Sequence, residues 1–194
     1  MPDTLFTRTD RNKMPPQWQS ARDMLDQLTG DATFVEVFAQ APELLEFVMQ
    51  QFYAKVFFGG TVQQRYKQLA RLKLSLIHGC RTCNKQNVPG ALDSGFTQAQ
   101  IDALIDGDLG PFAPAERAVI EYAEQIALSN MEGRMSPELF ERLRTNFSEA
   151  QILELGTAMA VVSGMAKLSF VLGLVERESY CPFAAGGLNP AAAA

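Results

Sequence analysis

Apolar residues recur at helical spacing along nearly the whole of this chain. No segment shows the alternation of apolar and polar residues that is typical of a half-buried strand. Glycine and proline residues interrupt the helical spacing at the places where helices would end and begin. The pattern therefore predicts an all-α fold.

The helix boundaries follow from capping residues and from residues that break helices. Thr97 with Gln100, and Ser148 with Gln151, match the capping box that closes the first turn of a helix. We expect Pro89, which has no backbone N–H, to kink or restart the helix that contains it. The predicted helices cover residues 16–28, 44–57, 62–78, 114–129, 137–145 and 149–177, with further helices starting near residues 80 and 97.

The composition is that of an ordinary soluble domain, with 47% hydrophobic and 20% charged residues among 194. We expect one domain over residues 1–183, followed by a loose tail over residues 184–194, where alanine and glycine dominate. The longest uncharged apolar stretch, residues 155–166, is shorter than a bilayer requires. We therefore expect no membrane partner.

The net charge and the number of cysteines limit the possible partners and the possible cell compartment. The net charge of −5 and the lack of a basic cluster argue against a nucleic-acid partner. Residues 1–20 carry charges and no apolar run, so we expect no signal peptide. Three cysteines are too few for a secreted disulfide framework. We expect the reducing cytoplasm as the compartment.

Cys80 and Cys83 are separated by two residues and follow Gly79, which should end the preceding helix. A helix N-terminus stabilises a thiolate, and a frayed first turn lets two such thiols close a disulfide. The alternative is that both cysteines are small buried apolar residues. The spacing favours a reversible redox pair.

Several side chains near the pair are candidates for assisting it. His78, the one histidine of the chain, could act as a base, or could cap a carbonyl at its helix end. Tyr66 could orient a substrate or pack in the core. Lys73 and Arg81 would lower the pKa of a thiol that they face. Cys181 lies far away in sequence, and we expect an inert thiol.

The segment from residue 67 to residue 83, KQLARLKLSLIHGCRTC, resembles the core of the carboxymuconolactone decarboxylase and alkylhydroperoxidase D-like family. Residues 112–118, 139–140 and 146–155 match the family's style, and the similarity covers roughly residues 40–175. The resemblance implies an all-helical protein that forms trimers or hexamers. It also implies an antioxidant role, because the alkylhydroperoxidase branch reduces peroxides through such a cysteine pair.

By the same resemblance, Cys83 would attack the peroxide and Cys80 would resolve the product. That branch carries a glutamate and two histidines as a proton relay, and the corresponding positions here are Gln68, Thr82 and Asn87. None of these three side chains titrates near neutral pH. The amides of Gln68 and Asn87 could still orient a peroxide. Because the proton relay is missing, we expect a slow enzyme.

The sequence thus predicts a thiol peroxidase or disulfide oxidoreductase that needs no cofactor and no metal. Its partners would be a small-molecule peroxide, a dithiol reductant and further copies of the same chain. The apolar helix at 149–177 and the aromatic stretch at 47–58 favour a homo-oligomer, because they present more apolar surface than one small domain covers.

Three alternatives stay open at this level. A zinc site would use His78, Cys80, Cys83 and Cys181, although structural zinc sites usually contain two close ligand pairs. A lactone decarboxylase would share the fold and leave the thiols idle. A non-catalytic oligomeric or binding protein would explain the missing relay. Metal analysis, lactone turnover and peroxide turnover separate these alternatives.

Overall fold

The computed structural model describes residue 2 and residues 4–182, and in this part of the chain nine α-helices and no strand form. The all-α prediction is confirmed. A short 3-10 turn, Arg11–Lys13, precedes the first helix, and a π-helical segment, Phe47–Phe57, continues the third. The helices are α1 Pro16–Thr29, α2 Thr33–Phe38, α3 Pro42–Glu46, α4 Gln64–His78, α5 Arg81–Asp93, α6 Gln98–Asp106, α7 Pro114–Ile126, α8 Pro137–Arg144 and α9 Glu149–Val171.

Helix α4 is the central element, and it packs against α5, α7 and α9. Its apolar positions recur every three or four residues, so that Leu69 and Leu72 are fully buried in the main core. Val119 and Ile120 of α7 and Leu155 of α9 pack in the same core. This packing carries the C-terminal end of α4, and the cysteine pair that follows it, into the interior.

The turn between α4 and α5 depends on Gly79. Its φ of +60° lies in the left-handed region, which favours glycine. The N–H of Gly79 donates to Leu76 O and that of Cys80 to Ser75 O, which closes the helix end. A Cβ atom on Gly79 would lie 2.6 Å from Cys181 Cα. No larger residue fits this turn without a shift of the backbone.

The predicted end of α9 was wrong, and the restart that was one of two alternatives at Pro89 does not occur. Helix α9 ends at Val171, and not at residue 177, because Gly173 takes a φ of +64° and Leu174 N–H bonds back to Ser169 O. The chain then turns back towards α5. Helix α5 runs through Pro89 without a restart, at the loss of one backbone hydrogen bond.

The aromatic stretch after α3 was predicted as an ordinary helix, and the structure makes it π-helical over Phe47–Phe57. Phe58 N–H donates to Tyr53 O, five residues earlier. The wider turn places Phe52 and Phe57, which are five positions apart, on the same buried face. The wide turn therefore suits the burial of these rings.

Local capping signals were more dependable. Both predicted capping boxes form, at α6 and at α9, and Pro114 and Pro137 occupy the first turn of α7 and of α8. Helix α7 stops at Ile126, three residues early, because Ala127 is extended. The pattern also missed the short helix α2.

Helix α9 is long and apolar enough to cross a membrane by length and composition alone. In the fold it packs against α4, α7, α8 and the π-helical segment, with Leu155, Gly156 and Met159 buried. These contacts are those of a core helix. The prediction of one domain over residues 1–183 stays a prediction, and the predicted tail, 184–194, lies outside the described residues.

Candidate functional site

Cys80 and Cys83 form a disulfide at the N-terminal turn of α5, with their Cα atoms 5.2 Å apart. Cys80 is the N-cap residue, and its Sγ accepts a hydrogen bond from Cys83 N–H at 3.2 Å. Cys80 is 0% exposed, whereas Cys83 is partly exposed. The predicted placement of the pair at a helix start is confirmed, and Cys83 is the more exposed of the two residues.

A segment that the sequence did not place covers the buried cysteine. Residues 174–182, here called the C-terminal strap, run back across the start of α5. Arg81 N–H donates to Glu176 O at 3.0 Å, and Glu178 N–H donates to Gly79 O at 2.8 Å. An isolated antiparallel bridge joins Cys80 to Arg177. The strap therefore shields one side of the disulfide from solvent.

The strap also engages two candidate residues. Thr82 Oγ1 accepts a hydrogen bond from Glu176 N–H at 3.0 Å. The buried Cys181 donates from Sγ to His78 O at 3.0 Å and packs with Cys80. The Thr82 hydroxyl is thus used to hold the strap. Cys181 lies beside the redox pair in space, despite its distance in sequence.

On its other side, Cys83 faces a cavity of about 510 Å³ between α1, the π-helical segment, α4, α5 and α9. Cys80, His78, Thr82 and Asn87 also lie on its wall. The wall is mostly apolar, and Met24 and Phe58 are also exposed to solvent, so the cavity is open at that end. Apolar lining residues include Met24, Leu25, Phe34, Met49, Tyr53 and Phe58.

Two predicted residues do not reach the cavity wall. Gln68 is buried between α4 and α5, where a Cβ atom on Gly90 would lie 2.9 Å from its Oε1. Tyr66 packs edge-on against Phe147, with ring centroids 4.8 Å apart. Gln68 therefore occupies the helix interface, and Tyr66 lies in the core, which was the structural alternative for this side chain.

His78 is 1% exposed, and its Nε2 accepts a hydrogen bond from Leu128 N–H at 3.2 Å. Burial lowers the pKa of His78 to about 4, so the imidazole is neutral near pH 7. The hydrogen bond uses the lone pair of Nε2 to accept a backbone N–H from the turn after α7. A general base needs a free lone pair beside the proton that it accepts. The contact favours a structural role for His78.

His78 should make stability depend on pH. Its pKa is lower in the fold, so it stabilises fully above about 6.5 and loses this contribution as pH falls towards 4. Between pH 6.5 and pH 4 we expect the free energy of unfolding to fall by about 3 kcal/mol. This fall should be absent in the His78→Gln protein. Urea unfolding of both proteins from pH 7.5 to 4 measures this. A rate of peroxide consumption that falls with His78→Gln at pH 7 would instead indicate a catalytic role.

Arg71 is the residue that the sequence analysis missed. It lies on α4 two turns before His78, is 8% exposed, and among the described residues is the one arginine, lysine, aspartate or glutamate on the cavity wall. Its guanidinium carbon lies 5.2 Å from the ring centre of Tyr53 and 5.4 Å from that of Phe57. The sequence did contain a signal for Arg71, because this charged residue falls on the inner face of an amphipathic helix.

The other cations near the pair are neutralised by carboxylates. Lys73 Nζ lies 2.8 Å from Glu124, and Arg81 Nε lies 3.1 Å from Glu178. Their charges therefore act only weakly on a thiolate. Among the described residues, no three side chains from His, Cys, Asp and Glu are grouped as the ligands of a metal ion would be.

Comparison with known proteins agrees with this architecture. Residues 42–125 match the model of the carboxymuconolactone decarboxylase family. YdfG, an uncharacterised protein of Bacillus subtilis (strain 168), is 24% identical over 141 residues, which are 72% of this chain and 93% of YdfG.

Two solved structures share the fold at low sequence identity. An uncharacterised peroxidase-related protein with an alkylhydroperoxidase AhpD core, from Ralstonia eutropha JMP134, superposes with a TM-score of 0.72 at 14% identity, over 97% of this chain and 98% of its own. The debrominase Bmp8, solved with 2,3,4-tribromopyrrole, superposes with a TM-score of 0.71 at 17% identity, over 91% and 93%. The cysteine pair lies within the stretch that matches the carboxymuconolactone decarboxylase family, residues 42–125, and the chain has an alkylhydroperoxidase D-like fold.

Proposed function

We propose that this protein is a thiol peroxidase that reduces an organic hydroperoxide with the Cys80 and Cys83 pair. One observation carries the proposal. The two cysteines are bonded at a helix N-terminus on the wall of an apolar cavity, where Cys83 is partly exposed and Cys80 is 0% exposed. The greater exposure of Cys83 supports it as the attacking thiol.

The reaction balances as a two-electron reduction. The thiolate of Cys83 attacks the terminal oxygen of the hydroperoxide, the O–O bond breaks, and the alkoxide leaves and takes a proton. Cys83 is then a sulfenic acid. The thiol of Cys80 displaces its oxygen, which leaves as water, and the disulfide seen in the structure forms. A dithiol reductant restores both thiols by exchange.

The rate should be modest because the three relay positions carry Gln68, Thr82 and Asn87, none of which titrates near neutral pH. Gln68 lies away from the cavity, Thr82 holds the strap, and Nε2 of His78 is hydrogen-bonded. Asn87 is the polar group that fits a positioning role. It is buried on the cavity wall, and its Oδ1 has no hydrogen-bond partner among the described residues. This oxygen can accept the O–H of a hydroperoxide.

Single-turnover stoichiometry tests the proposal. The reduced protein, mixed with one equivalent of cumene hydroperoxide, should yield one equivalent of the alcohol and one disulfide per chain. Thiol titration and chromatography of the alcohol measure both products. Unchanged thiols and unchanged hydroperoxide would reject the proposal, and would favour a non-catalytic binding protein or a lactone decarboxylase.

Reductive dehalogenation is a second candidate, because the aromatic and apolar cavity beside Cys83 suits a substituted ring. A fold neighbour, Bmp8, is a debrominase with a bound tribromopyrrole. Two thiols would convert an aryl bromide to the arene, bromide, a proton and a disulfide. Release of bromide from 2,3,4-tribromopyrrole by the reduced protein, in the absence of peroxidase activity, would favour this candidate.

We further propose that the protein is cytoplasmic, where a dithiol reductant is available, and that it forms a trimer or hexamer. The outward face of α9 supports the assembly. Leu153 and Val171 are 70% and 68% exposed, and Ala160, Gly164 and Leu168 line the same face between them. Small residues at helical spacing allow a second helix to approach closely.

Gly164 offers a direct test of this assembly. A Cβ atom at Gly164 meets no atom within 4 Å, so the single chain tolerates a large side chain there. We expect Gly164→Trp to lower the mass measured by light scattering to that of a monomer, without loss of helical circular dichroism. Gly164→Ala is the matched control and should stay oligomeric. A monomeric wild type at micromolar concentration would contradict the proposal.

A further inference from the structure

We propose that the cavity binds an organic anion, in which a carboxylate or a similarly acidic group pairs with Arg71 and an apolar body extends towards Cys83. The substrate of the pair would then be an amphiphilic acid that carries the reducible group at its other end. The substrate part of this inference rests on the proposed thiol chemistry. The anion site itself rests on Arg71 and its surroundings.

Arg71 is a buried cation without an anion. Only 8% of the residue is exposed, and among residues 4–182 no carboxylate and no hydrogen-bond acceptor contacts its guanidinium. The faces of Tyr53 and Phe57 are its partners, and such contacts contribute about 0.5–2 kcal/mol each. Burial of an unpaired charge costs more than this, because water solvation is lost.

Two other cations of α4 are paired with carboxylates, unlike Arg71. Lys67, which is fully buried, bonds to the carboxylate of Glu154 at 2.5 Å. Arg65, which is only partly buried, also pairs with Glu116 at 2.6 Å. In the part of the chain that the structure describes, no aspartate or glutamate lines the cavity around Arg71. A guanidinium presents parallel N–H donors that match a carboxylate, so the missing partner is best supplied by a ligand.

The geometry fixes the order of groups along the cavity. Arg71 and His78 are seven residues apart on α4, which corresponds to a rise of about 10 Å. Asn87 connects the two helices that carry these residues, because its Nδ2 donates to the backbone O of Arg71 at 3.3 Å and it is one turn from Cys83 on α5. A ligand that reaches both Arg71 and Cys83 therefore carries several carbon atoms between its acidic and reactive ends.

Binding of octanoate and of 1-octanol, two probes that differ in the acidic group, tests the anion site by calorimetry. We expect octanoate to bind at least about tenfold more tightly than 1-octanol, as a charge-assisted hydrogen bond requires. Arg71→Met should abolish this difference, and Arg71→Lys should retain part of it. Arg144→Met removes an exposed arginine of α8 and should leave octanoate binding unchanged.

Equal affinity for the two probes in the wild type, or an unchanged preference in Arg71→Met, would overturn the anion site. If Arg71→Met does not fold, the anion site is tested by the affinities of the wild type and of Arg71→Lys for octanoate and 1-octanol. Reduction of cumene hydroperoxide, which is neutral, separates the two proposals. Its turnover without an octanoate preference rejects the anion site alone, whereas an octanoate preference without turnover rejects the peroxidase and keeps the site.

Discussion

The Cys83→Ser protein is expected to consume hydroperoxide no faster than the dithiol reductant alone. The reason is the exposure of the two residues, because both line the cavity but Cys83 is partly exposed while Cys80 is fully buried. A serine hydroxyl is not ionised near neutral pH and does not replace the thiolate. A coupled assay with dithiothreitol and cumene hydroperoxide measures the rate.

Cys181→Ser is the matched control for the loss of a thiol close to the pair. Its hydroxyl can still donate to His78 O, so the rate should remain near that of the wild type. A wild-type rate in Cys83→Ser would show that Cys83 is not the attacking residue. A large loss in Cys181→Ser alone would place the chemistry on the third cysteine.

The second large effect concerns a buried ion pair that joins α4, α9 and the loop before α4. Lys67 Nζ lies 2.5 Å from Glu154 and donates to Val56 O at 2.8 Å. Burial alone would raise the pKa of Glu154. Hydrogen bonds from Lys67, Thr61 and Val62 outweigh the burial and lower this pKa to about 2. The pair therefore persists over the ordinary pH range.

We expect Glu154→Leu to destabilise the fold by about 3–5 kcal/mol, because it leaves the ammonium of Lys67 buried without a carboxylate. Adding Lys67→Met should recover part of the loss, since the unpaired charge is then gone. Urea unfolding at pH 7 measures both. Glu149→Leu, which removes an exposed carboxylate from the same helix, is the control and should change stability little. A Glu154→Leu protein as stable as this control would contradict the assignment.

Much of the fold was predictable because its signals are local. Gly79 ends a helix at a turn that only glycine fits, and the cysteine pair then opens the next helix. The capping boxes at α6 and α9 involve residues three positions apart, so they can be recognised in the sequence. These features need no knowledge of the tertiary fold.

The site depends more on contacts between residues distant in sequence. The strap covers Cys80 from almost a hundred positions away, and the cavity wall combines α1 with α9. His78 was recognised as a candidate, but its bond to Leu128 N–H could not be predicted because the two residues are fifty positions apart. Arg71 was overlooked because helix periodicity does not show which charged residue lacks a partner.

Trapping of a sulfenic acid tests the central claim most directly. The reduced Cys80→Ser protein, treated with one equivalent of cumene hydroperoxide in the presence of dimedone, should carry one adduct per chain. Peptide mass spectrometry should locate this adduct on Cys83, because the resolving thiol is absent and the first step is intact. An adduct on Cys181, or consumption of hydroperoxide without any adduct, would contradict the account.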